Sequence, residues 1–139
     1  MTRWGKLRHL SLRELGLLII ASGLVMLSEL AIRTLPAKHL LRLLQRIPAL
    51  PQRRQPARPD HLARFVTIAD RYVPGSASCL RRTAALRGLF ALHGIGAELF
   101  IGVRRDQDSL HAHAWLETSD GNTYGLSHEP AYIPLTRRP

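Results

Sequence analysis

The stretch SASCLRRTAAL, residues 76–86, holds the one cysteine of this 139-residue chain and follows the Val73-Pro74-Gly75 turn signal directly. Its reading decides the fold. A helix from about Cys79 to His93 turns Leu80, Ala84, Leu86 and Leu89 inward and leaves Arg81, Arg82 and Arg87 to solvent. Gly94 stands where a helix C-terminal glycine belongs. Beyond it, AELFIGV (97–103) and HAHAWLE (111–117) have the composition of strands, and Asp120-Gly121 is a hairpin turn into NTYGLS. Ahead of it, Asp60 suits an N-cap, and Leu62, Phe65, Val66 and Ala69 keep the spacing of one helix face. Helices followed by a small antiparallel sheet make an α+β domain.

Working outward, the segment PALPQRRQPARP (48–59) carries four prolines among polar residues. It reads as a linker and the one domain boundary, between a helical region 1–47 and a core 60–139. Within 1–47, Ser11 and Glu14 form a capping box ahead of the apolar run LGLLIIASGLVML (15–27). That run is shorter than the ~20 residues a bilayer crossing needs. A basic start and an apolar run match two regions of a signal peptide, but no small-x-small cleavage site follows. Burial of this helix against the protein or a partner is the expectation, and contact of the N-terminal helices with a membrane is the alternative. After Pro36, a second helix over 37–47 carries leucines at 40, 41, 43 and 44 among basic residues.

The totals narrow the class. An apolar fraction of 45% argues against wholesale disorder. A single cysteine makes no internal disulfide, which favours a reducing compartment and a cytoplasmic location, with membrane association as the alternative. The formal charge is +10, and among the basic residues only Lys6 and Lys38 are lysine. So many arginines suit contacts with phosphate or carboxylate, and they equally suit the solvated faces of helices.

In the first turn of its helix, Cys79 would meet unpaired backbone N–H groups and the positive end of the helix dipole, which favour thiolate. The plainer reading is a small buried hydrophobe. His111 and His113 lie two apart on a strand and so share a face. They read either as a metal pair, with Cys79 and His128 as possible further ligands, or as one catalytic base with a peripheral neighbour.

Taken together, CLRRTAALRGLFALHGIGAELFIGVRR, LHAHAWLE and the Asp-Gly turn resemble the transglutaminase-like leader peptidases of lasso-peptide biosynthesis. The likeness covers 60 to about 135, and the apolar N-terminal helices are similar to those of stand-alone members. It implies a papain/transglutaminase-like core in which a helix bearing the nucleophile packs on an antiparallel sheet bearing the histidine. Carried onto this sequence, it makes Cys79 the nucleophile and His113, within Ala-His-Ala-Trp, the general base, while His111 falls at a variable position. The activity implied is cysteine-peptidase cleavage of the leader from a ribosomally made precursor, with no cofactor and no metal. The implied partners are the precursor peptide, a leader-recognition protein and an ATP-dependent lasso cyclase, with no nucleic acid; the basic surface and leucine-rich helices are candidate docking surfaces.

The pattern departs from the family at the third member. Many relatives place an aspartate about where Leu126 stands. Asp120 lies seven residues from His113, roughly 23 Å along a strand. Pairing about Asp120-Gly121 sets residue 128 opposite 113, so Glu129 would need a bulge to reach the imidazole. The orienting group is therefore Glu129, a backbone carbonyl, or nothing, leaving a Cys–His dyad. No glutamine precedes Cys79 to complete an oxyanion hole, so the backbone N–H of Cys79 is the candidate donor. Three rival readings are acyl transfer to an amine, a zinc module using His111, His113 and His128, and a basic membrane- or nucleic-acid-binding protein with an incidental cysteine.

Overall fold

The computed structural model describes residues 10–51, 57–75, 78–125 and 133–134. Four helices come first: α1 (Leu12–Thr34), α2 (Ala37–Arg46), α3 (Pro59–Tyr72) and α4 (Cys79–Leu92). Two ten-residue strands follow, β1 (Ala97–Asp106) and β2 (Ser109–Thr118), then two-residue strands β3 (Thr123–Tyr124) and β4 (Ile133–Pro134). The sheet runs in the order β3-β2-β1-β4 with every neighbouring pair antiparallel. The α+β expectation holds.

Local chemistry accounts for the helix ends. Ser11 and Glu14 close a reciprocal capping box at the start of α1, the Ser11 N–H donating to Glu14 Oε2 at 2.8 Å. That hydrogen bond from the Ser11 backbone lowers the Glu14 carboxyl below its ordinary value. α4 begins at Cys79 because the Ser78 hydroxyl accepts the Arg81 N–H at 3.1 Å. It ends in a Schellman arrangement: Ile95 N–H reaches Phe90 O at 2.8 Å, Gly94 N–H reaches Ala91 O at 3.2 Å, and Gly94 adopts φ +73. α3 differs from the sequence reading. Arg58 is its N-cap and Pro59 its first residue, where the missing proline N–H costs no hydrogen bond. Asp60 is thus inside the first turn.

One apolar cluster joins all four helices to the long strands. Val25 of α1, Leu44 of α2, Val66 of α3, Leu89 and Phe90 of α4, and Leu99 and Leu116 of the sheet all belong to it. The start of the proline-rich segment is fastened to α4, since Leu50 N–H donates to Ala91 O at 2.9 Å and Arg87 Nη2 to Ile47 O at 2.8 Å. α1 is 23 residues long, longer than the apolar run read from the sequence, and by length and composition alone it could cross a membrane.

The arginines of α4 overturn a second expectation. Arg82 is exposed, but Arg81 is 0% and Arg87 6% accessible. Arg81 Nε donates to Asp70 Oδ1 at 2.8 Å, Nη2 to Asp70 O at 3.0 Å, and Nη1 to Glu29 Oε2 and Pro74 O, both at 3.3 Å. Those acceptors lie far away in sequence, so helical spacing around Arg81 could not reveal them. Burial pulls the Arg87 guanidinium below its ordinary value.

Removing one partner from a buried ion pair leaves a desolvated charge, so Asp70→Ala should destabilise the protein by about 3–5 kcal/mol. Glu29→Ala should cost less, because the Glu29 side chain retains 13% exposure against 2% for Asp70. Urea unfolding of both variants measures the order. The β1–β2 loop yields a prediction of the opposite sign. Gln107 holds φ +49 at the first loop position of a two-residue hairpin, where glycine is favoured. Gln107→Gly should stabilise by up to about 1 kcal/mol, seen as a higher melting midpoint.

Candidate active site

Cys79 is the first residue of α4 and is partly exposed. The turn that delivers it is held from beneath by Arg81, which gathers Asp70 O and Pro74 O. Gly75 in that turn adopts φ +123, and a Cβ there would stand 2.9 Å from Arg81 Nη1 and from the Glu29 carboxylate. A glycine is required on both counts. Arg82 is also engaged, its Nη2 lying 3.2 Å from Asp70 Oδ2. The positive charges that follow Cys79 in sequence are therefore directed at carboxylates of α1 and α3.

His113 sits on β2 opposite Gly102 of β1, so no side chain of β1 crowds it at that pair. By alternation it shares a face with Trp115, which is buried and stacks on Phe100 at 5.8 Å. The opposite face carries Ala114 and Leu116, the latter in the main core. α4 reaches β2 through a buried hydrogen bond, Thr83 Oγ1 to Ala114 O at 3.2 Å. Thr83 is one helical turn beyond Cys79, and Ala114 is next to His113. The bond that joins the two elements thus runs between their neighbours, and it sets the nucleophile-candidate end of α4 against the His113 segment of β2.

His113 Nε2 is paired with the carbonyl of Gly125. A carbonyl can only accept, so Nε2 carries the proton, and the lone pair of the neutral ring is on Nδ1. Gly125 (φ +94) lies close over β2, its Cβ position 3.5 Å from Ala114 O and 3.7 Å from Thr83 Oγ1. Tyr124 anchors it from the preceding position. The phenol packs edge-on against Phe90 of α4 at 5.3 Å.

The hairpin after β2 corrects the expected register. Thr118 N–H donates to Asn122 O at 2.9 Å and Gly121 N–H to Thr118 O at 3.0 Å, with Gly121 at φ +88. That is a three-residue loop with a glycine bulge, in place of a two-residue turn about Asp120-Gly121. Glu117 pairs with Thr123 and Leu116 with Tyr124, one residue out from the sequence expectation. Asp120 serves the turn, accepting from Thr118 Oγ1 and from Asn122, and the Thr118 bond lowers its carboxyl. Leu126, His128 and Glu129 lie outside the described residues, so the Glu129 expectation and the third zinc ligand fall there too. His111 is exposed near the hairpin tip, its Nε2 3.1 Å from Ser109 Oγ. Among the described residues no group of three His, Cys, Asp or Glu could hold a metal ion. Sequence reading missed Thr83, Gly102 and Gly125; only the Tyr-Gly pair after the turn signalled a possible backbone break.

Burial, then the charges of Asp60 and Asp120, then the hydrogen bond to Asp60, together raise the Tyr124 phenol above its ordinary value. A raised folded value means this contribution is complete below the unfolded value near pH ~10 and is lost as pH rises through the folded one. The stability difference between wild type and Tyr124→Phe should therefore shrink above pH ~10, measured by urea unfolding at a series of pH values.

A family description, the transglutaminase-like superfamily, matches residues 24–132, from the middle of α1 to the start of β4. Comparison with curated proteins and with solved structures gave no match. A nucleophile-candidate helix packed through Thr83 on a histidine-bearing antiparallel strand agrees with that assignment, and the chain belongs to the transglutaminase-like superfamily.

Proposed function

We propose that this protein is a cysteine peptidase that removes the leader from a ribosomally made precursor during lasso-peptide maturation. The observation that supports the chemistry is the pairing of His113 Nε2 with the Gly125 carbonyl on a strand joined through Thr83 to the Cys79 helix. The substrate class rests on the resemblance of the Cys79 helix and the Ala-His-Ala-Trp strand to the leader peptidases.

In this reading Cys79 Sγ attacks the scissile carbonyl carbon while His113 Nδ1 takes the thiol proton. The carbonyl oxygen becomes an oxyanion, with the backbone N–H of Cys79 as one donor. Collapse breaks the C–N bond, and His113 returns the proton to the leaving amine. Water then attacks the thioester and loses a proton to His113, giving a carboxylate and the restored thiol. Gly125 O keeps the imidazole turned so that Nδ1, and not Nε2, does this work. It fills the orienting role that an aspartate fills in many relatives. No cofactor enters. The precursor peptide, a leader-recognition protein and an ATP-dependent cyclase are the partners this reading requires, in the cytoplasm or at its membrane.

Acyl transfer to an amine uses the same two residues and is separated by product mass, since hydrolysis adds water and transfer adds the amine. The test is mass spectrometry of precursor peptide incubated with the protein and its leader-binding companion. Cys79→Ala should abolish the leader-sized fragment, and His113→Ala should lower kcat/KM by about 10²–10⁴. Undiminished cleavage by Cys79→Ala would remove the nucleophile assignment. Gly125→Ala forces a side chain into φ +94 and displaces the carbonyl, so kcat should fall roughly ten- to a hundredfold with KM nearly unchanged.

A further inference from the structure

α1 presents two unlike faces. Ala21, Val25 and Ser28 are buried against the protein, and Leu24 packs over Gly88 of α4. On the opposite side, Leu12, Leu15, Ile19, Met26 and Leu30 recur at three-, four- and seven-residue intervals. Ile19 is 65% exposed, Met26 58% and Leu30 58%. At 100° per residue these positions form one stripe centred roughly 180° from Ala21. Gly23 lies within it, and a Cβ there would meet nothing within 4 Å. The stripe runs most of a helix about 34 Å long.

The composition of this surface selects its occupant. The stripe is aliphatic, without the aromatic and arginine anchors that concentrate in protein interfaces. Exposed basic residues stand at both ends of α1, Arg13 and Arg33 (the latter paired with Glu29), and Lys38, Arg42 and Arg46 lie on the solvent side of the following helix α2, opposite buried Leu40 and Leu44. Residues 35–51 hold no acidic side chain at all. An aliphatic stripe among cations is complementary to acyl chains under anionic headgroups. A crossing orientation does not fit, because the inner face holds Glu29 in its pair with fully buried Arg81. Bringing lipid around that face would strip α1 from α3 and α4.

We infer that α1 is an in-plane membrane anchor, its Leu12–Leu30 stripe seated in the interface of an anionic bilayer while its inner face stays packed on α3 and α4. The inference stands independently of the peptidase reading.

The test is co-sedimentation of the full chain with phosphatidylcholine vesicles and with vesicles containing phosphatidylglycerol, beside Ile19→Glu/Met26→Glu and Lys38→Glu/Arg42→Glu variants. Circular dichroism and melting confirm that each variant is folded. The wild type should bind the anionic vesicles, weaken as salt rises, and be released by alkaline carbonate. The stripe variant should lose at least about tenfold in partition coefficient, and the α2 variant a similar factor on anionic vesicles only. Absence of wild-type binding, or undiminished binding by the stripe variant, would overturn the anchor. So would carbonate-resistant insertion, which indicates crossing. A stripe that instead mediates dimerisation, or binding of the companion protein, with no vesicle association would overturn it equally.

Discussion

Arg81 is the interaction on which the arrangement turns. Its side chain is fully buried, so its charge has no water to fall back on, and it must be met in place by Asp70 of α3 and Glu29 of α1. The planar guanidinium presents its donors in a fixed fork, which dictates where those carboxylates and the carbonyls of Asp70 and Pro74 can stand. Three helices and the turn before Cys79 are registered by one group. Apolar residues of the same volume could hold the helices as firmly. They would not specify the path of residues 73–75, where Arg81 holds Pro74 O and the close approach forces glycine at 75.

A second constraint works from the sheet. β3 is only two residues long, and its ladder would fix little alone. Tyr124 adds a ring contact to α4, so the backbone before Gly125 is held by the strand pair and by α4. A backbone carbonyl is a weaker orienting group than a carboxylate, because it carries no full charge to stabilise an imidazolium. It does share the property of accepting only, and that suffices to fix the tautomer. The two constraints meet at Thr83, whose hydroxyl ties α4 to β2 between the residues that each constraint places.

Much of this was legible in the chain itself. The capping box at Ser11 and Glu14, the Gly94 terminus and the buried face of α3 follow from short-range chemistry and appear as read, and the two long strands appear where read but run to ten residues each. What escaped depends on separation or on one-residue differences. Arg81 finds Asp70 11 residues away and Glu29 52 residues away, and no local pattern distinguishes it from exposed Arg82. The Asp120-Gly121 pair signals a turn without saying whether the loop has two residues or three. That single residue shifts the β3 partners of β2, Tyr124 and Thr123, by one position. Asp60 has the composition of an N-cap, but Pro59 ahead of it fits the first helical position better.

The extent of α1 was legible too. The apolar run stops at Ser28 and Glu29, yet the helix reads on to Pro36 in the sequence, and α1 runs to Thr34. In the structure both face inward, Ser28 donating to Leu24 O at 2.7 Å and Glu29 reaching Arg81. The helix continues through them because their polar atoms are satisfied without breaking it. This joins the two ends of the molecule physically. The helix whose outer stripe is left exposed by the other described residues is the one that supplies Glu29 to the buried arginine.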